Sequence, residues 1–213
     1  RSPNKDVPLD QGRADDLFSK AQRQVDIEDA PKETPGKRFN REARADPDGH
    51  LARYAQLEGT DGGRIISPDT AKMLSADYVK DRTLSDDVQV GASWLAQEAY
   101  NRALKSLPKA GQRAAVLLQS GGTGAGKSTA VGNTSQFDSF QAIYDTNLSN
   151  LTTATARVEA ALQAGKEVTI FHVYREPGEA YRKGVLPRAM GSEGRPVTPD
   201  GHAKTHSGSN AVL

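Results

Sequence analysis

The clearest chemistry in the chain lies in eight consecutive residues, Gly121-Gly122-Thr123-Gly124-Ala125-Gly126-Lys127-Ser128. They fit the pattern G-x-x-x-x-G-K-[ST]. Small residues let successive backbone N–H groups turn inward onto phosphate oxygens, and the start of a following helix adds partial positive charge. Lys127 is placed to reach the β- and γ-phosphates of a nucleoside triphosphate, and Ser128 to hold Mg²⁺, with Thr129 a second hydroxyl beside it. The expected nucleotide is ATP, with GTP the alternative, and the expected metal is Mg²⁺.

A phosphate loop alone does not name a reaction. Motors and switches add an acid at the end of an apolar strand, often with a glutamate beside it, and a switch segment. The stretch "AIYDTN" supplies Asp145 without an adjacent glutamate. A small kinase needs less: an acid to take the acceptor's proton or position Mg²⁺, and arginines to neutralise the transferring phosphoryl group. Arg175, Arg182, Arg188 and Arg195 follow the last apolar strand.

Positioning these groups requires elements that converge. "AAVLLQ", residues 114–119, reads as a short buried strand feeding the glycines, with a helix starting near Lys127. "AIYD", residues 142–145, is a second strand. "TTATARVEAALQAG" is a helix with Ala154, Val158, Ala161 and Leu162 on its apolar face and Gly165 as its stop. "EVTIFHVY" is a third strand, and "EPGEAYRKGVLPRAM" a helix interrupted or ended at Pro187. Upstream, Ser67 and Pro68 mark a helix start, as hydroxyl cap and first-position ring, and "VGASWLAQEAYNRALKSL" is an amphipathic helix with Trp94 and Tyr100 as core. Strands alternating with helices imply an α/β fold, a parallel sheet flanked by helices of the P-loop NTPase or kinase kind. The carboxyl ends of such strands share one edge, so Asp145, Arg175 and the later arginines should meet the phosphate loop.

Residues 1–60 carry both charges and five of the chain's prolines, with little apolar patterning beyond "ADDLFSKAQRQV". They read as a flexible or partner-binding arm with one short docking helix, and residues 61–213 as the phosphate-loop domain. The chain has 213 residues, 36% hydrophobic, with 28 basic and 27 acidic side chains, so no global field draws in nucleic acid or membrane. No apolar run approaches the ~18 residues of a membrane span, and no signal-peptide pattern opens the sequence. The expected location is cytoplasmic. The absence of cysteine removes disulfides and thiolate metal sites. Of four histidines, His172 reads as a core or edge residue of its strand. His202 and His206 sit at i, i+4, but Pro199 and Gly201 point to a loop there rather than a metal-binding helix. Arg1 in place of a methionine suggests a piece of a longer protein.

The stretches "LLQSGGTGAGKST", "IYDTNLSNLTTATARVEAALQAGKEVTIFHV" and "VLPRAMGSEGRPVTPDGHAKTH" together resemble the zeta-toxin family of P-loop kinases, over residues 114–206. On that resemblance Asp145 falls on the acid after the strand, Leu148 on a leucine that follows it, Arg188 on the first arginine and Arg195 on the second. It implies a small-molecule kinase, toxin-like, that phosphorylates a hydroxyl of UDP-N-acetylglucosamine, with an antitoxin or inhibitory protein as partner. Two departures stand out. The family places an extra strand and a catalytic aspartate between the phosphate-loop helix and the strand that ends in the acid, where this chain has only "AVGNTSQFDSFQ". Asp138, Asp145 and Asp69 are the substitutes for that base. Ser149 stands where the family has a substrate-contacting arginine, so a nucleotide or NAD is as good an acceptor. The alternative to a kinase is a nucleotide-binding module, non-catalytic or weakly hydrolytic, within a larger protein.

Overall fold

Every strand of the sheet runs the same way, and each ends where the chain must hand a functional group to the same edge. The structure is a computed structural model and describes residues 33–132, 135–191 and 197–213. The helix expected within "ADDLFSKAQRQV" and the second family arginine, Arg195, lie outside the described residues. Residues Thr34–Leu213 form one compact unit.

Two helices, α1 (Pro35–Ala45) and α2 (Pro47–Tyr54), open this unit. Both start with proline at the first position, and the side chains of Thr34 and Asp46 cap their free N–H groups. Phe39, Ala43 and Tyr54 are buried against Tyr78, Val88, Ala92 and Leu95. The boundary expected near residue 60 therefore moves to 34. A helix with few but well-spaced apolar residues can still bury a full stripe, even though its composition looks like a linker.

Next come β1 (Ile65–Ile66), α3 (Pro68–Ala71), α4 (Ala76–Lys80) and the long α5 (Gln89–Lys105). Pro68 takes the first position of α3, but the Ser67 side chain makes no cap bond. The Ser67 backbone N–H instead donates to Tyr54 Oη at 2.8 Å, and that hydroxyl donates to Ile65 O at 3.0 Å. Burial pushes the Tyr54 phenol well above its usual range. This bond pair ties α2 to the β1–α3 junction.

The centre of the sheet is β2 (Arg113–Ser120), buried on both faces from Ala115 to Ser120. The loop and α6 (Lys127–Gly132) follow, then β3 (Phe140–Tyr144), α7 (Leu151–Gln163) and β4 (Glu167–His172). The strand order is β1-β3-β2-β4, all parallel, with Leu117 opposite both Ile143 and Thr169, and Ile65 opposite Ile143. Period-two alternation divides β2 between two cores. Val116 and Leu118 pack with Tyr100, Leu104 and Tyr144 under α5 and α7. Ala115 and Leu117 pack with Val131, Phe137 and Phe140 on the other face.

After β4 come α8 (Pro177–Ala180), a widened turn over Tyr181–Val185, α9 (Leu186–Met190) and α10 (Pro199–Val212). Pro187 is the second residue of α9, directly after the widened turn, and the helical backbone passes through it to Met190 rather than ending there. The loop expected around Pro199 and Gly201 is a helix instead. Pro199 is its first residue, and the Thr198 hydroxyl accepts from Gly201 N. Those two residues are start signals there, not breakers. Among the described residues no helix is long and apolar enough to cross a membrane.

Candidate functional site

A cleft of about 1210 Å³ opens along the carboxyl edge of the sheet. All four strand exits contribute to it: Ser67 to Thr70 after β1, the loop after β2, Asp145 to Asn147 after β3, and Val173 to Arg175 after β4. Lys183, Pro187 and Arg188 close one side.

The loop's shape needs glycine at particular points. Gly121 has φ 131°, and a Cβ there would lie 2.3 Å from Val173 O. Gly121→Ala is expected to destabilise the fold by about 1–3 kcal/mol and to weaken nucleotide binding. Chemical denaturation and a nucleotide titration check this; unchanged values of both would contradict it. A Cβ on Gly122 would meet the His206 ring at 2.2 Å, so α10 packs directly on the loop's backbone.

Lys127 Nζ donates to Gly121 O at 2.9 Å, Gly122 O at 3.4 Å and Asn147 Oδ1 at 2.7 Å. Burial holds its ammonium below the usual lysine range, against the opposing pull of Asp145 and Asp69; Arg188 adds to the lowering. Ser128 Oγ donates to Asp145 Oδ2 at 3.4 Å. This hydroxyl–carboxylate pair offers hard oxygen ligands of the kind Mg²⁺ takes together with phosphates and water. Arg175 Nη1 donates to Gly124 O at 3.4 Å, and Arg188 Nε to Gly184 O at 2.9 Å. Both arginines line the cleft.

The structure thus brings together Thr123, Gly124, Ala125, Gly126, Lys127, Ser128, Thr129, Asp145 and Arg188 in the cleft, while Gly121 and Gly122 do not line it and meet Lys127 through their carbonyls. It does not bring Asp138 to them. Asp138 lies before the first residue of β3, at the sheet's opposite edge, exposed and 3.9 Å from Arg64 Nη2. An acid that precedes a parallel strand is a strand's length from that strand's carboxyl edge, and Asp138 is not among the groups gathered there. Asp69, in α3 just after β1, does line the cleft. Lys72, itself buried, sits 3.2 Å from Asp69 Oδ1 and bonds Ser85 Oγ at 2.8 Å.

Sequence reasoning missed three contributors. Asn147 holds the lysine, and its backbone carbonyl accepts from Gly121 N. Leu148 beside it is buried with φ 46°, an uncommon conformation for a non-glycine residue. Thr205 Oγ1 accepts from Thr123 N at 3.1 Å, and His206 Nε2 donates to Thr123 O at 3.0 Å. A polar residue just past a strand's carboxyl end was a usable signal for Asn147; nothing local marked Thr205 or His206.

His206 packs against His202 with the rings tilted at 51° and their centroids 4.4 Å apart, while His202 Nε2 donates to Pro177 O at 2.8 Å. Burial is the main reason His206 titrates below its ordinary value of 6.5; the Thr123 carbonyl opposes this, and the charges of His202 and Lys127 add to it. The folded state therefore binds fewer protons than the unfolded chain as pH falls through this range. Stability should be full above about pH 6.5 and decline below it. Thermal unfolding at about pH 7.5 and about pH 5.5 checks this. His206→Gln should flatten the difference, and a melting temperature that rises on acidification would contradict it.

The chain matches no protein-family model and no curated protein. Among the described residues no group of three or more His, Asp or Glu is gathered to hold a metal by itself.

Proposed function

We propose that this chain is an Mg²⁺-dependent phosphotransferase of the P-loop kinase type that moves the γ-phosphoryl group of ATP to a hydroxyl of a small molecule. The observation that carries this is one cleft holding Lys127 and Ser128 on the phosphate loop, Arg175 and Arg188 beside them, and two carboxylates, Asp145 and Asp69, at different strand exits. A purely binding loop has no need of the second carboxylate.

Lys127 would leave its loop carbonyls to contact the β- and γ-phosphates, and Arg175 and Arg188 would neutralise charge on the transferring group. Ser128 and Asp145 would hold Mg²⁺, which when bound neutralises charge on the β- and γ-phosphates. Asp69 would take the acceptor's hydroxyl proton. The acceptor oxygen bonds to the γ-phosphorus, the bond from that phosphorus to the β,γ-bridging oxygen breaks, ADP leaves, and the proton passes from Asp69 to solvent.

The resemblance to zeta-toxin kinases supports this division of roles in an unexpected way. The strand and aspartate missing after the phosphate-loop helix have counterparts before it. β1 pairs with β3, with Asp145 N donating to Ile66 O at 2.7 Å, and Asp69 follows β1 into the cleft. We read this as the family's catalytic core with one strand supplied from the N-terminal side. On this reading the protein works where ATP is, in the cytoplasm.

Incubation with ATP, Mg²⁺ and a panel of nucleotide sugars, sugar phosphates, NAD and nucleosides, followed by mass spectrometry, tests the proposal. A phosphorylated acceptor formed by the wild type supports it. ATP binding without any phosphorylated acceptor would favour the second reading, a nucleotide-binding module; the three protein oxygens that occupy Lys127 speak for that one. Growth arrest on expression would add the toxin role.

A further inference from the structure

The cleft's 1210 Å³ exceeds the roughly 300–1,000 Å³ of a pocket for one small ligand. A wall built from α3, α5 and α7 lines it with Asp69, Thr70, Gln89, Ser93 and Arg157. We infer that this wall is the acceptor subsite, and that it takes a small polyhydroxylated molecule bearing a phosphate group, with Arg157 as the residue that holds that phosphate. The inference rests on the phosphotransferase reading for its chemistry, but the site can be tested without it.

Arg157 is a partly buried cation with no carboxylate partner among the described residues. Arg38, Arg64, Arg102 and Arg113 have one, whereas Arg175 and Arg188, in the same cleft, share its lack of one among the described residues. Its side chain is nevertheless fixed. Nε donates to Gln97 Oε1 at 3.3 Å, Nη2 to Tyr144 Oη at 3.4 Å, and the guanidinium lies 4.6 Å above the Tyr144 ring. Tyr100 Oη anchors its backbone by donating to Arg157 O at 3.1 Å. These bonds are to neutral groups and leave Nη1 for a ligand. A rigid, partly desolvated guanidinium without a counter-ion is a ready receptor for phosphate, which it can meet with two parallel bonds.

The rest of the wall suits hydroxyls. Gln89 and Ser93 lie one turn apart on α5, with Gln89 Nε2 donating to Ser93 Oγ at 2.7 Å, and both line the cleft beside Thr70. These are neutral groups that can donate and accept. The one aromatic ring lining the cleft among the described residues is Tyr174, next to Arg175 at the exit of β4. Among the described residues the acceptor wall has no ring on which a base could stack. That favours a sugar or polyol phosphate over a nucleotide sugar.

Calorimetric titration decides the matter with the protein already saturated by a non-hydrolysable ATP analogue and Mg²⁺, so that the phosphate loop is filled. The probes are glucose-6-phosphate, glucose and UDP-N-acetylglucosamine. Glucose-6-phosphate is expected to bind at least ~10-fold more tightly than glucose, and Arg157→Gln to remove that advantage, with Arg157→Lys recovering part of it. Equal binding of the phosphate and the neutral sugar by the wild type would overturn the inference, with no appeal to the stability of a variant. So would Arg157→Gln binding like wild type, or binding of UDP-N-acetylglucosamine alone. Arg157-dependent binding without phosphoryl transfer would leave the subsite standing and overturn the phosphotransferase reading. Transfer to glucose with no preference for its phosphate would do the reverse.

Discussion

Lys127→Ala is expected to reduce phosphoryl transfer by ~10³-fold or more and to weaken ATP binding, while stability stays within about 1 kcal/mol of wild type. The two halves of this result have one cause. Lys127 is held below its usual pKa range because its ammonium is buried, so the ligand-free fold carries a cost for keeping it charged there. Three protein oxygens offset that cost in part. Removing the side chain loses those bonds and the burial penalty together. The oxygens left behind are two loop carbonyls and one amide, which tolerate a missing donor better than a buried N–H tolerates a missing acceptor. When phosphates enter, the same ammonium gains charged partners in a site partly shielded from water, and there its loss is large. Steady-state kinetics and denaturant unfolding on the same preparation check both halves. A variant that unfolds more easily by several kcal/mol and keeps its turnover would make Lys127 a structural residue.

Asp69→Asn carries the second large effect, a fall in kcat of ~10²–10⁴-fold with KM for ATP little changed. The amide keeps the shape and an oxygen for Lys72 but cannot take a proton. The aspartate meets the first geometric demand on a base: it lines the same cleft as the phosphate loop, and its charge is felt at Lys127. Lys72 holds it from beneath at 3.2 Å and is itself fixed by Ser85. Asp138→Asn is the matched comparison. That carboxylate is exposed at the other edge of the sheet, and its variant should turn over like wild type. Wild-type turnover in Asp69→Asn together with a collapse in Asp145→Asn would move the base to Asp145 and leave Asp69 a structural partner of Lys72.

How far these residues could be read from the sequence depended on whether their signals were local. The buried run of β2, the glycine spacing of the loop and the helix stop at Gly165 are written in neighbouring residues, and the corresponding elements form where those signals lie. β1 was invisible, because two isoleucines are no periodicity at all; they become a strand only by pairing with Ile143 and Tyr144, far along the chain. With β1 unseen, Asp69 had no stated edge of the sheet, and Asp138 looked as good a candidate. α1 and α2 were hidden by polarity, since Phe39, Ala43 and Tyr54 hold them to α5 while charged residues cover the rest. Proline and glycine misled at α10, where the Thr198 cap turns both into the opening of a helix. His206 and Thr205 reach the loop only through that helix, so their contacts with Thr123 had no trace in the sequence around them.

This cleft is proposed to transfer a phosphoryl group to another molecule rather than only to hold a nucleotide. Incubating the protein with Mg²⁺, γ-¹⁸O-labelled ATP and a mixture of sugar phosphates, nucleotide sugars and neutral sugars, then following the label by mass spectrometry, tests it most directly. The predicted result is a new organic phosphate that carries the heavy oxygens, formed by wild type and absent with Lys127→Ala. Label found only in inorganic phosphate, or remaining in ATP while the protein demonstrably binds it, would contradict the claim.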